Sequence, residues 1–433
     1  MKRESAAVPS IVPPAATGDA GVNLPWLDRL ARAIFFHLLG KIRQGHITVR
    51  ENNNFWEFGK NTDIRPGAAQ VNVHHPRFYR ALLFQGSRGL GDSYIQGYWS
   101  SPDLTAVICL LTRNLQVLGR YFCPDKLAGP FCRLWWWSRR NTPTGSRKNI
   151  AAHYDLGNDF YALFLDETMA YSCGIFEETG SSLSEAQRVK YDRVCRKLDL
   201  QPSDHLLEIG TGWGGLAIHA ARQYGCRVTT TTISQAQYDY ARRLFQEIGL
   251  SGQITLLLQD YRHLQGKFDK LVSIEMIEAV GHEYLEEYFR VCGQRLQDRG
   301  LMLLQAIIIG DGIYSSYRRS TDFIRSHIFP GGHLVSVQAM GRAAARTTDL
   351  RLVHLEDLTP HYPLTLRAWR ERFWAHLPAV RGMGYPEEFI RLWEFYLCYC
   401  EGGFRERYIG DVQVLYAKSG YRKPVFPYAE SLH

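Results

Sequence analysis

The residues best suited to chemistry lie in one short stretch, Leu206-Leu-Glu-Ile-Gly-Thr-Gly-Trp-Gly-Gly215. It follows an apolar, strand-like run and opens a helix. Gly210, Gly212 and Gly214 let the backbone turn tightly and approach a ligand that a Cβ would hold away. Gly210, Gly212 and Gly215 also satisfy the Gly-x-Gly-x-x-Gly spacing of dinucleotide sites. Two features separate the readings. A dinucleotide site carries an acidic residue about 20 positions further on, which meets the ribose hydroxyls. Here the second strand ends Thr229-Thr-Thr-Thr-Ile-Ser234, without an acid. Glu208 lies two residues before the first glycine. A carboxylate there can face a cationic amino group, which suits the methionine end of S-adenosylmethionine and has no role against a pyrophosphate.

The elements that position this loop follow from the alternation around it. From Ile150 onwards, short apolar runs exchange with helical stretches: His205–Ile209, Leu216–Tyr224, Arg227–Ile233, Gln235–Ile248, Ile254–Leu258, Lys270–Ile274, Tyr284–Leu296 and Leu301–Ile309. This predicts an α/β fold with a mostly parallel sheet and helices on both faces. Residues 25–128 form another unit, with β-like alternation at Ile47–Val49, Phe55–Phe58 and Ala69–Val73, then helical text with turn glycines from Phe78 to Thr112. Asn141-Thr-Pro-Thr-Gly-Ser-Arg-Lys148 carries loop signals. The expected organisation is a disordered tail over 1–24, an N-terminal domain over 25–128, a basic linker over 129–149, a catalytic domain over 150–420 and a tail over 421–433.

The 433 residues, 45% of them hydrophobic, suffice for ordinary cores. No apolar run reaches the roughly 20 residues of a spanning helix, and Met1–Asn23 has no apolar region of the signal-peptide kind. Nine cysteines without repeated Cys-x-x-Cys pairs argue against a disulfide framework and a structural zinc site. No metal is expected, and the cytosol is the natural compartment. The net charge of +8 is uneven. Arg120, Lys126, Arg133, Arg139, Arg140, Arg147 and Lys148 stand against Asp125 alone, around Trp135-Trp-Trp137. Such a patch suits nucleic acid or an anionic lipid surface; tryptophan favours the membrane interface.

Eight ordered motifs make the chain resemble the cyclopropane fatty-acyl-phospholipid synthases. They are His153-Tyr-Asp-Leu-Gly-Asn-Asp-Phe-Tyr161 with Tyr171-Ser-Cys-Gly-Ile-Phe176, the glycine loop, Thr232-Ile-Ser-Gln-Ala-Gln237 and Gln259-Asp-Tyr-Arg262. Ile274-Glu-Met-Ile-Glu-Ala-Val-Gly-His282, Phe329-Pro-Gly-Gly332, His361-Tyr362 with Leu366-Arg-Ala-Trp369, and Tyr396 to Phe404 complete the run. Gly89-Leu-Gly-Asp-Ser-Tyr-Ile-Gln-Gly-Tyr-Trp99 is similar to the N-terminal domain of the longer bacterial members. The resemblance implies a class I methyltransferase fold, a doubly wound, mostly parallel seven-stranded sheet, with a smaller N-terminal α+β domain that contacts lipid. It implies S-adenosylmethionine held by Tyr171, Ser172, Glu208, Gly210, Gly212, Trp213, Gly214, Thr232, Gln237, Asp260, Tyr261 and Arg262. The implied reaction forms a cyclopropane ring on the cis double bond of an unsaturated phospholipid acyl chain. The implied setting is a homodimer on the anionic inner face of the cytoplasmic membrane.

A cis alkene must attack the sulfonium methyl directly and leaves a carbocation on the acyl chain. Ring closure then removes a proton from the added methyl. Such a site needs apolar walls, something negative or π-rich near the cation, and a base that is not itself alkylated. The resemblance implies a bound bicarbonate as base, oriented by Glu278 and contacted by Cys173, Tyr362 and the backbone of Ile307. The chain departs at Gln305, where the best-known members carry histidine. Glutamine hydrogen-bonds an anion but carries no positive charge and shuttles no proton. Methyl or methylene branching is therefore an alternative product. Glu275 does not match the catalytic glutamate and is assigned a structural role; Cys400 is assigned to packing. A nucleic-acid methyltransferase is a competing reading, but the catalytic half lacks the Asn/Asp-Pro-Pro-aromatic signature of amine methylation, and no nucleic-acid partner is expected. A lipid carrier would not need the intact donor loop.

Overall fold

The computed structural model describes residues 25–60, 69–118 and 156–425. The basic, tryptophan-bearing linker, the N-terminal tail and residues 426–433 of the C-terminal tail lie outside the described residues. The chain divides into two compact units. The first contains the described residues within Met1–Arg133 together with Ser320–Ile328 and Trp374–Tyr408; the second contains those within Leu134–Arg319, Phe329–Phe373 and Ile409–His433.

In the first unit, helix α1 (Trp26–Leu39) is followed by β1 (His46–Glu51), β2 (Asn54–Gly59), β3 (Ala69–Val73), α2 (Arg77–Ile95), β4 (Trp99–Ser100) and α3 (Leu104–Arg113). The strands form a four-stranded sheet in the order β2-β1-β3-β4. The expected run of helix from Phe78 to Thr112 is broken twice: α2 kinks at Gly86, where φ is +56°, and β4 intervenes before Asp103 caps α3 through its side chain. The boundary expected at residue 128 also changes. The helix Glu387–Arg405, read from sequence as part of the catalytic domain, packs on α2 and α3. Its apolar stripe, Trp393, Leu397 and Phe404, is buried there, and Glu394 accepts a 2.6 Å bond from Tyr94 of α2.

The second unit carries α4 (Leu183–Lys197), β5 (His205–Ile209), α5 (Gly215–Tyr224), β6 (Arg227–Thr232), α6 (Gln235–Glu247), β7 (Ile254–Leu258) and β8 (Phe268–Ile274). It continues with α7 (Leu285–Arg295), β9 (Leu296–Ile309), α8 (Val337–Thr347), β10 (Arg351–Asp357), α9 (Tyr362–Ala375) and β11 (Ile409–Ala417). The seven strands run β10-β11-β9-β8-β5-β6-β7. Strands β5 to β9 pair in parallel, and β11 pairs antiparallel with β9 and β10. Strand β9 begins before the expected Leu301, because the polar text Gln297-Asp-Arg299 is exposed there and carries no strand pattern. Alternate side chains of one strand feed opposite cores, as strand geometry requires. Leu207, Met302 and Leu304 join α7 and α8 on one face. Leu206, Leu301 and Leu303 join α4, α5 and α6 on the other.

A Cβ on Gly402 would lie 2.6 Å from the Ile108 side chain of α3. Overpacking of this kind typically costs about 1–3 kcal/mol. Gly402→Ala therefore lowers the midpoint of chemical unfolding, whereas Gly382→Ala, which meets no atom within 4 Å, leaves it nearly unchanged. Equal midpoints for the two variants would contradict the packing of this helix on α3.

Candidate active site

Strand β5 lies between β6 and β8, so the chain builds the sheet outward in one direction through β7 and then restarts on the other side of β5. In open α/β sheets, ligands bind beyond the carboxyl ends of the strands at such a switch point. Two loops leave the sheet there: Gly210–Gly214 after β5, and Glu275–Glu278 after β8.

The glycine loop has φ of +102° at Gly210, +54° at Gly212 and +96° at Gly214. A Cβ on Gly214 would lie 2.6 Å from the Phe245 ring, so this glycine allows α5 to start against α6. Gly212 has nothing within 4 Å of a Cβ and faces open space. Beside it the carboxyl of Glu208 is buried and accepts a 2.6 Å bond from the Thr230 hydroxyl. Burial pushes that carboxyl up to about 8. No cation is bonded to Glu208 among the described residues. A buried acid beside an open glycine cradle fits the ammonium end of S-adenosylmethionine.

The other residues expected around this ligand divide into two groups. The Tyr171 ring lies 5.2 Å from Trp369 and 5.3 Å from Tyr161. Trp213 stacks 5.1 Å from Tyr161 and donates its indole N–H to Asn158. Ser172 accepts from Lys190 Nζ at 2.7 Å. Thr232 donates to Gln237 Oε1 at 3.0 Å, next to the end of β6. Asp260 and Arg262 face each other instead, with two side-chain bonds of 2.9 and 2.7 Å. Tyr261 packs on Tyr288 at 5.3 Å, in the core.

Two residues after Tyr171, Cys173 meets a cluster of buried carboxyl groups. Glu275 follows β8 with φ of +46°, in the left-handed region that non-glycine residues rarely occupy. Its Oε1 accepts from the Cys173 backbone N–H at 2.9 Å and from the Gln305 amide at 2.8 Å. Its Oε2 accepts from the Tyr362 hydroxyl at 2.5 Å. Gln305 also donates to Asp411 Oδ2 at 3.0 Å, while its own oxygen accepts from Gln413 at 3.1 Å. Lys197 holds Gln413 in turn, through a 2.7 Å bond to its oxygen. Glu278 accepts from the Ile307 backbone N–H at 2.5 Å, and its other oxygen is buried without a partner. Burial, reinforced by the charge of Glu275, pushes the Glu278 carboxyl up to about 8. Burial also raises Asp411 well above the carboxylate range, and lowers the ammonium of Lys190 to about 8.

The structure bonds Glu278 directly to the Ile307 backbone N–H, two groups that the resemblance assigns to a bound bicarbonate. It gives Cys173 and Tyr362 a different neighbour, because both donate to Glu275. Cys173 acts through its backbone N–H; its thiol points to the carbonyl of Gly174 at 3.3 Å, and burial keeps it protonated. Lys190, Asp411 and Gln413 were missed. Lys190 reads in sequence as one more helical lysine, and only the neighbours Val189 and Tyr191 hint at burial. Asp411 and Gln413 alternate with Val412 and Val414 on β11, a pattern that suits a half-exposed strand, yet both are fully buried.

Residues 141–414 match the sequence model of the mycolic acid cyclopropane synthetase family. The chain is 35% identical over 356 residues to the cyclopropane-fatty-acyl-phospholipid synthase of Escherichia coli, covering 81% of this chain and 88% of that one. It is 37% identical over 374 residues to the tuberculostearic acid methyltransferase of Mycobacterium tuberculosis, covering 82% and 84%. Among solved structures, the mycolic acid cyclopropane synthase CmaA1 complexed with SAH and CTAB superposes with a TM-score of 0.59 at 32% identity, covering 63% of this chain and 98% of that one. The chain therefore belongs to the mycolic acid cyclopropane synthetase family and is an S-adenosylmethionine-dependent methyltransferase.

Proposed function

We propose that this protein transfers a one-carbon unit from S-adenosylmethionine to the cis double bond of an unsaturated phospholipid acyl chain, closing a cyclopropane ring. The observation that carries the reading is the cluster of buried carboxyl groups, Glu275, Glu278 and Asp411, joined to the aromatic cluster of Trp369, Tyr171, Tyr161 and Phe164 through Tyr362, whose hydroxyl donates to Glu275 and whose ring lies 6.3 Å from Trp369. When bound, S-adenosylmethionine supplies an electrophilic methyl group. Alkylation of an alkene leaves a cation on the chain, and aromatic faces with nearby carboxylates stabilise it in a site that excludes water. An amine or hydroxyl substrate would develop no such carbon-centred charge. Glu208 would bind the donor's ammonium group, and Gly212 would let its backbone come close. Methyl or methylene branching remains the second reading, supported by the likeness to the tuberculostearic acid methyltransferase.

Delivery to an anionic bilayer belongs to the same proposal. In the sequence, seven basic residues surround Trp135-Trp-Trp137. On the first unit Trp26, Phe55 and Phe84 are 70%, 67% and 57% exposed, which suits an interfacial surface. No helix among the described residues is long and apolar enough to cross a membrane.

The reading is tested by incubating the protein with methyl-labelled S-adenosylmethionine and vesicles of unsaturated phospholipid. Label should enter the acyl chains, and proton NMR should show ring methylene signals upfield of the chain. Vinyl signals would establish methylene branching, and label that stays out of the lipid would overturn the proposal. Glu278→Gln should cut turnover by about 10²–10³, the usual loss on removing one preorganised electrostatic group, while SAH still binds.

Glu208 makes binding proton-linked. Its carboxyl is raised from 4.5 to about 8, so the folded protein without ligand holds a proton that the unfolded chain has lost between those values. Stability from this group therefore declines as pH rises through that window. At about pH 7 an arriving ammonium group should expel the proton. Calorimetry of SAH binding in two buffers of different ionisation heat should then give different apparent enthalpies, and Glu208→Gln should remove the difference. Buffer-independent enthalpies in the wild type would contradict the assignment.

A further inference from the structure

The bicarbonate that the resemblance implies does not fit the carboxyl cluster as built. The Cys173 N–H, the Gln305 amide and the Tyr362 hydroxyl all donate to Glu275, and Glu278 is bonded to Ile307 N–H. These are the groups that would have held a free anion. A further negative ion would also lie among three carboxyl groups, Glu275, Glu278 and Asp411, which act on one another electrostatically, with Lys190 as the cation that offsets them.

We propose that Glu275 is itself the general base of the reaction, a carboxylate carried by the chain in place of a dissociable bicarbonate. The proposal rests on the acyl-chain reading above. In the proton-transfer step, a C–H bond of the newly attached methyl group breaks. Its electron pair closes the third side of the ring on the cationic carbon, and the proton passes to a Glu275 oxygen. The positive charge on the chain and the negative charge on Glu275 disappear together. The proton is released to water before the next turnover.

Three further observations support this assignment. The left-handed backbone at Glu275 is strained for a non-glycine residue, and such conformations persist where the surrounding structure over-determines them, commonly at functional sites. Burial raises the Glu275 carboxyl, and its three donors, from three separate segments, act against that burial in favour of the ionised form a base requires. The Gln305 amide has a single consistent orientation: its oxygen is held by Gln413, so its N–H groups must face Glu275 and Asp411. A glutamine at this position orients a fixed carboxylate without adding a second titrating group.

Two variants test the proposal. Glu275→Gly empties the cradle at a backbone angle that glycine adopts freely; Glu275→Gln keeps the shape without the base. With SAH present, carbon-13 NMR of labelled bicarbonate should show no binding to the wild type and binding to Glu275→Gly. Wild-type turnover should be unchanged when bicarbonate is stripped from the buffer. Glu275→Gly should lose at least about 10²-fold in rate without bicarbonate and recover about tenfold or more when it is added, whereas Glu275→Gln stays low in both. Bicarbonate bound by the wild type, wild-type turnover lost on stripping, or Glu275→Gly as active as wild type without bicarbonate would each overturn the proposal. The binding comparison needs no lipid. A protein that binds SAH but modifies no acyl chain would therefore defeat the acyl-chain reading, while the NMR result still decides what occupies the cradle.

Discussion

Taking a carboxylate out of water costs several kcal/mol unless fixed donors replace its lost hydration. In this protein the donors around Glu275 come from Cys173, Gln305 and Tyr362. Each must be held in place by something else. Gln305 sits on β9 and is oriented by Gln413 on β11, the antiparallel neighbour in direct register with it. Cys173 follows the turn whose preceding residue, Ser172, is bonded by Gln187 and Lys190 of α4. Tyr362 opens α9. The pairing of β9 with β11, the packing of α4 and the start of α9 thus all bear on one negative group.

The same constraint accounts for the position of the site within the sheet. Glu208 is the penultimate residue of β5 and Glu275 follows β8, and these parallel neighbours pair in register from Leu206 to Glu208. Donor loop and carboxyl pocket are therefore fixed to each other through backbone hydrogen bonds. Precise placement matters for catalysis, because misplacing a reacting group by about 1 Å can cost 10²-fold in rate. Burial also raises two acids at this edge, Glu208 and Glu278, each to about 8.

Sequence legibility followed the range of the interactions. The glycine loop was readable because strand, turn and helix start are contiguous, and the missing acid after the second strand excluded a dinucleotide within the same window. The parallel sheet was readable from its alternation. Gln305 was visible as a departure, yet its meaning was not, since it bonds residues 30 and 106 positions away. Glu275 was assigned a structural role because it does not match the catalytic glutamate, and its bonds to Cys173 and Tyr362, 102 and 87 positions away, leave no local signal. The helix Glu387–Arg405 was placed in the wrong compact unit for the same reason: Tyr94 meets Glu394 across 300 positions. Local pattern carries propensity and period, whereas a buried polar cluster depends on which distant segments the fold brings together.

The central claim is that the chain supplies its own carboxylate at the reacting centre. A high-resolution crystal structure of the SAH complex, grown with bicarbonate in the medium, tests it most directly. The account predicts the Glu275 carboxylate bonded to Cys173 N–H, Gln305 Nε2 and Tyr362 Oη, with no separate anion in the cradle. A planar bicarbonate on those three donors, with Glu275 turned away, would contradict it.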